Sequence, residues 1–221
     1  MNVDELLSFT ANTKLRDFAE PRLWSDETLL VFLNDGEKQF ARRTHMLVDF
    51  ESSFTELVTT SGQAAYALDK RIIHVMDVFS EEGTPLGPIT RARRPSITGE
   101  GKPRQYALDA GSNTLRVYPV PDDQYTLYLT VARKPLRPLS LDDMDACPEI
   151  PEDYHSALGD YAAYRALQNN NAEGADMAGS AKEFLLAWEM AVKEAKRDVY
   201  RMRAGPSPRA VRSATFNRRM R

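Results

Sequence analysis

The chain has 221 residues, with 29 Lys and Arg against 32 Asp and Glu, a formal net charge of −3 and 42% hydrophobic residues. A folded body of this size buries roughly 70% of the surface that its unfolded chain exposes, so neither a structural metal nor disulfides are required, and the single Cys147 excludes a disulfide framework within one chain. No run of about 18 apolar residues occurs, and the opening MNVDELLSFTANTK lacks a basic segment followed by an apolar one, so the expectation is a protein without membrane spans, made in the cytoplasm.

Charge is unevenly distributed. Residues 201–221 carry seven arginines and no acid, which leaves residues 1–200 with 22 basic and 32 acidic side chains, a net of −10. An acidic body with a basic end marks the end as an interaction segment rather than part of a core.

The first strong pattern is LWSDETLLVFLNDGEKQFARRTHML. Leu29, Leu33, Gly36, Phe40, Thr44 and Leu47 recur at spacings of three and four, the stripe of an amphipathic helix. Ser25 reads as its N-cap, Trp24 and Leu29 occupy the positions of a hydrophobic staple, and Asp26 and Glu27 place negative charge at its positive end. Gly36 within the stripe leaves room for the close approach of another backbone.

From about Phe54 the period changes to two. FTELVTT, QAAYALD and RIIHVMDVF read as short strands separated by Ser61-Gly62 and Lys70-Arg71. Leu115 and Val117 alternate on one later strand and Tyr125, Leu127, Leu129 and Val131 on the next, with Pro121-Asp122-Asp123 as the expected hairpin turn; with the turn at Gly111-Ser112-Asn113, residues 105–131 read as a three-stranded meander. An acidic connector, LSLDDMDACPEIPED, follows. Helical spacing then resumes at Tyr154, Leu158, Tyr161 and Ala162, with Pro151, Glu152 and Asp153 at the start. QNNNAEG interrupts it, and a last helix carries Phe184, Trp188, Ala191, Ala195, Val199 and Met202 on one stripe before Gly205, Pro206 and Pro208 stop it.

The expected fold is therefore α+β. An antiparallel helical bundle is formed by one N-terminal and two C-terminal helices (1–50 and 148–203), a β-rich antiparallel region with its connector is inserted (51–147), and an extended basic arm follows (204–221).

Motifs for catalysis are missing. TGEGKPRQ is a loop rather than a phosphate cradle, and neither a Gly-x-Ser-x-Gly elbow nor a His-Glu-x-x-His pair occurs. His45, His74 and His155 stand far apart in sequence, so each is expected as a surface or partly packed side chain rather than a metal ligand. Asp142, Asp143, Asp145 and Glu149 form one carboxylate cluster, but it lacks the glycine and terminal glutamate of a calcium loop and reads as a solvated acidic loop. No catalytic, cofactor-binding or metal-binding residue is singled out, and nothing selects an acid pair from the 32 carboxylates.

Taken jointly, LWSDETLLVFLNDGEKQFARRT, LRVYPVPDDQYTLYLTVARKPL and IPEDYHSALGDYAAYRAL, in this order and at these separations, resemble the head-to-tail adaptor (connector) proteins of tailed bacteriophages over residues 20–200. The resemblance implies a non-enzymatic virion protein at the portal vertex. It implies a homo-oligomeric ring, commonly dodecameric, docked on the portal by its C-terminal segment, with a tail or nozzle protein on its other side. Double-stranded DNA would pass through its channel during ejection without sequence-specific binding.

Three readings of the arm follow: a solvated terminus, a DNA-binding segment, and a docking segment. The resemblance favours docking, with Phe216 as a buried anchor and Arg209, Arg212, Arg218, Arg219 and Arg221 forking onto acidic or carbonyl groups of a portal. The alternatives from other classes are a nucleic-acid-binding regulator acting through the arm and a virion-associated peptidoglycan hydrolase using two of the carboxylates.

Overall fold

A computed structural model describes residues 1–89, 99–109, 111–169 and 175–204. The fold is mixed α+β, with four α-helices and two four-stranded sheets among the described residues.

The chain opens with a helix that periodicity did not reveal. In α1 (Val3–Ser8), Asn2 and Glu5 close a capping box, and six π-helical residues (Phe9–Lys14) continue it. Two of the amides that a helix start leaves unpaired, those of Val3 and Asp4, donate to the carbonyls of Ala146 and Met144 in the connector. Val3, Leu6 and Leu7 are buried.

Helix α2 (Asp26–Thr44) starts where expected, with the Ser25 side chain accepting from the Thr28 amide and both Trp24 and Leu29 buried. Its end corrects the predicted stripe. His45 takes a left-handed conformation (φ 55°), so Leu47 is buried by the chain beyond the helix rather than on it. Helices α2, α3 (His155–Asn169) and α4 (Ala175–Ala204) pack on one another around Leu33, Phe40, Leu158, Ala162, Trp188 and Val192. Polar ties cross the same seams: the Tyr154 hydroxyl donates to Asp198 (2.6 Å), and Arg43 forks onto Glu189 (2.6 and 2.5 Å) while lying over the Trp188 ring.

The stripe predicted on α4 is partly wrong. Trp188, Ala195 and Val199 are buried as expected, and Val192, which completes the spacing, is buried too, but Ala191 and Phe184 are only partly covered. Met202 is 78% exposed, in a last turn of α4 where residues 200–204 are all exposed.

At Gly36 the close neighbour is a ring rather than a backbone. A Cβ there would stand 2.9 Å from Cδ1 of Tyr161. The ring is held at its hydroxyl by Asp35 (2.6 Å) and packs at 4.9 Å against Trp188. Gly36→Ala therefore destabilises the protein by about 1 kcal/mol, the overpacking exceeding the gain in helix propensity, as urea unfolding would measure.

The strands divide into two sheets. In the first, β8 (Thr126–Arg133) pairs along one edge with β4 (Ile72–Ser80) and along the other with β1 (Val48–Asp49) and β2 (Glu56–Val58) in succession. The second has the order β3 (Ala65–Ala67), β7 (Thr114–Tyr118), β6 (Gln105–Asp109), β5 (Gly87–Pro88), and its β5–β6 pair is parallel, a departure from the all-antiparallel expectation. The β6–β7 hairpin forms as predicted, around Asn113 at φ 48°.

The predicted hairpin across Pro121-Asp122-Asp123 does not form. β7 and β8 belong to different sheets. Pro119 and Pro121 bring no amide donor to continue a ladder from Tyr118. The alternation was real, but the two apolar faces meet face to face: Leu115 and Val117 share one buried cluster with Leu127, Leu129 and Val131.

Candidate functional site

The predicted docking residues Arg209, Arg212, Phe216, Arg218, Arg219 and Arg221 lie outside the described residues. Their root does not. At the last turn of α4, Nη2 of Arg203 donates to the carbonyl of His45 (3.1 Å), and the His45 ring stacks on the ring of His74 in β4, with centroids 5.3 Å apart and planes 12° apart. The fold thus joins two histidines that are 29 positions apart in sequence, at the point where α2, β4 and the end of α4 meet. Burial lowers the His45 pKa, and the nearby charges of His74, Arg203 and Lys196 lower it further, which favours the neutral ring. His155 is buried, with Nε2 at 2.9 Å from the carbonyl of Ile150 and Nδ1 at 2.9 Å from the N-terminal amine.

The carboxylate cluster separates. Asp142, Asp143 and Asp145 are exposed on the connector. Glu149 turns away from them, accepting from the Arg133 guanidinium and from the amides of Leu136 and Arg137. Among the described residues, no three His, Cys, Asp or Glu side chains converge as a metal set, and no helix is long and apolar enough to cross a membrane.

One buried carboxylate has strongly shifted chemistry. Glu37 is 1% exposed, and its Oε1 accepts the Glu149 amide at 2.6 Å. Burial raises its pKa to about 7. A carboxyl poised at that value suits proton transfer in an open cleft, yet this one is sealed from solvent and already occupied by the connector backbone, so its work is to hold the connector on α2. Sequence reading passed over Glu37. Its signal was present, because Leu33, Glu37, Phe40 and Thr44 share the helical spacing of the buried stripe, which makes Glu37 a charge on an apolar face.

Around Glu37 the connector is fixed at several points. Arg133 Nε donates to Asp49 (2.8 Å) while its Nη1 reaches Glu149, linking β8, β1 and the connector. Asn34 brackets Leu139, donating from Nδ2 to its carbonyl (2.9 Å) and accepting its amide (2.8 Å). The acidic side chains left over face solvent. This arrangement fixes a surface rather than enclosing a substrate.

Residues 1–212 match the model of the family described as SU10 adaptor protein. No curated protein matches the chain.

Proposed function

The chain belongs to the SU10 adaptor protein family, a phage head-to-tail adaptor-type family of structural virion proteins, and from that premise we propose that it forms the adaptor ring between portal and tail. The ring is a dodecamer at the portal vertex. A tail or nozzle protein sits on its other side, and double-stranded DNA passes through its channel without sequence-specific contact. The basic arm of each subunit docks on the portal.

The extent of the match carries this reading. It takes in the helices, both sheets and the arm as far as residue 212, so Arg209 and Arg212 fall within the family pattern, while Phe216, Arg218, Arg219 and Arg221 follow it. Charge supports it as well. A body with 32 acidic against 22 basic side chains, a net of −10, repels passing phosphates on balance rather than capturing them by counterion release. Residues 205–221 reach about 55–60 Å when extended, enough to engage a neighbouring ring without disturbing the contacts of the first. Arginines around a single aromatic are the residue types that dominate interface energetics.

Deleting residues 205–221 leaves α4 whole and tests the docking role directly. The expected result is loss of portal binding by at least about 100-fold, since several arginine forks and one buried aromatic are removed together. Unchanged portal binding would sink the docking role. If duplex DNA binding were lost instead, with log K falling against log salt at a slope near about −4.5 for the five arginines, the arm would be a nucleic-acid grip and the regulator reading would replace this one.

A further inference from the structure

Helix α4 carries two seams. The inward one is Trp188, Val192, Ala195 and Val199. On the opposite side Leu186, Met190, Lys193, Arg197 and Tyr200 follow at spacings of four, three, four and three, the spacing of a strip that lies against another element. Among the described residues nothing covers this strip: Leu186 is 61%, Met190 63% and Tyr200 74% exposed. A groove of about 390 Å³ runs beside it, lined by Arg43, Leu186, Met190 and Lys196 among others. Because Arg43 is already committed to Glu189, the free charge along the strip comes from Lys193, Lys196 and Arg197, whose aliphatic stems extend the apolar surface.

The complement is present on the same chain. Residues 138–164 contain no Lys or Arg. Asp142, Asp143 and Asp145 are exposed there, and none takes part in an ion pair among the described residues. Leu141 and Met144, interleaved with them, are partly buried against the helical core, so the acids are displayed on an anchored segment. The connector is held in place by Asn34, Glu37 and the α1 amides, which makes its charges a pre-organised feature rather than a loose loop.

We propose that the outward strip of α4 is a subunit–subunit surface whose occupant is the acidic connector of a second copy of this chain. The two patches differ, so the contact is heterologous: each subunit offers its strip to one neighbour and its connector to the other, and the contact repeats until the rotation closes. The inference rests on the ring reading above and adds the residues that would build the ring. Apolar side chains at helical spacing fit a protein surface better than a phosphate backbone, which would leave Leu186, Met190 and Tyr200 uncovered.

The test is sedimentation of the full chain with its portal protein, comparing the wild type with K193E/R197E, D142K/D143K and an equal mixture of the two. All four positions are exposed, and far-UV circular dichroism verifies that each variant is folded. Each reversal alone should weaken ring assembly at least tenfold. The mixture should restore it, because an alternating ring pairs every reversed strip with a reversed connector. L186S/M190S should weaken assembly without rescue by either partner. Wild-type assembly with unaffected variants would overturn this surface while leaving the ring reading intact, as would failure of the mixture to rescue two impaired variants or a loss of duplex DNA binding alone. A wild type that never exceeds one copy per portal would overturn both.

Discussion

Arg133→Ala lowers the unfolding free energy by about 3 kcal/mol, near the lower end of the range for breaking a buried ion pair by removing one partner. Arg133 is a hub: its Nε donates to Asp49, and its Nη1 to Glu149 and to the carbonyl of Lys134. Its side chain is 15% exposed and that of Asp49 9%, so truncation leaves two carboxylates in a poorly hydrated place. The effect stays near the lower end because both acids keep other donors. Asp49 retains the Glu51 and Ser52 amides and the Ser52 hydroxyl, and Glu149 retains the Leu136 and Arg137 amides. Arg133→Lys should recover less than half of the loss, since a single ammonium cannot span both carboxylates in the fork geometry. Urea unfolding of the three proteins at pH 7 decides this, and equal midpoints for wild type and Arg133→Ala would show that the bridge contributes nothing.

The same hub explains which parts of the fold were legible. Periodicity found α2, α3, α4 and most strands, because each buries one face against a neighbour: Leu33, Phe40, Leu158 and Trp188 are core residues on stripes visible in the sequence. It missed α1, whose six residues are too few for a moment to stand out, although the Asn2–Glu5 capping box was written in the sequence. The β7–β8 error has a different origin. Alternation reports that a strand has one buried face, not which strand pairs with its edge, so Leu115 and Leu127 looked like partners in a hairpin when they are partners across the space between two sheets.

For the candidate site the limits were long-range. Asp49, Glu37, Arg133 and Glu149 converge from four separate segments, and no local spacing announces a network of that kind. The same holds for the stacked pair His45 and His74, which sequence distance alone argued against. The basic arm, by contrast, was evident from composition, and the docking role proposed for it rests on family membership rather than on geometry. Charge separation was legible in the same way. The acidic connector and the cationic outward strip of α4 are both plain in the sequence once the fold tells which side chains face out.

Glu37 makes stability depend on pH in a direction opposite to that of most carboxylates. Burial is the main cause of its raised pKa, the neighbouring Glu149 charge adds to it, and the Glu149 and Ile150 amides and Lys38 act against it. The folded value of about 7 stands above the ordinary carboxylate value of 4.5. The folded state therefore binds the proton more tightly than the unfolded chain between these values. The contribution is fully present below pH 4.5 and is lost as pH rises through 7, by about 3 kcal/mol in total. His45 runs the other way, its lowered pKa adding stability as pH rises through the histidine range, so the raw profile of the wild type mixes the two. Comparison with Glu37→Gln separates them. The amide keeps an oxygen for the Glu149 N–H and cannot titrate, so the variant gains on the wild type by about 3 kcal/mol from pH 4.5 to 8 while sharing its His45 dependence. Urea midpoints measured for both proteins across that window supply the difference curve, and a flat one would mean that Glu37 is ionised in the folded protein throughout. A rising curve places the proton on Glu37, where the acid group and the connector amides it holds meet beneath the surface that carries Asp142, Asp143 and Asp145.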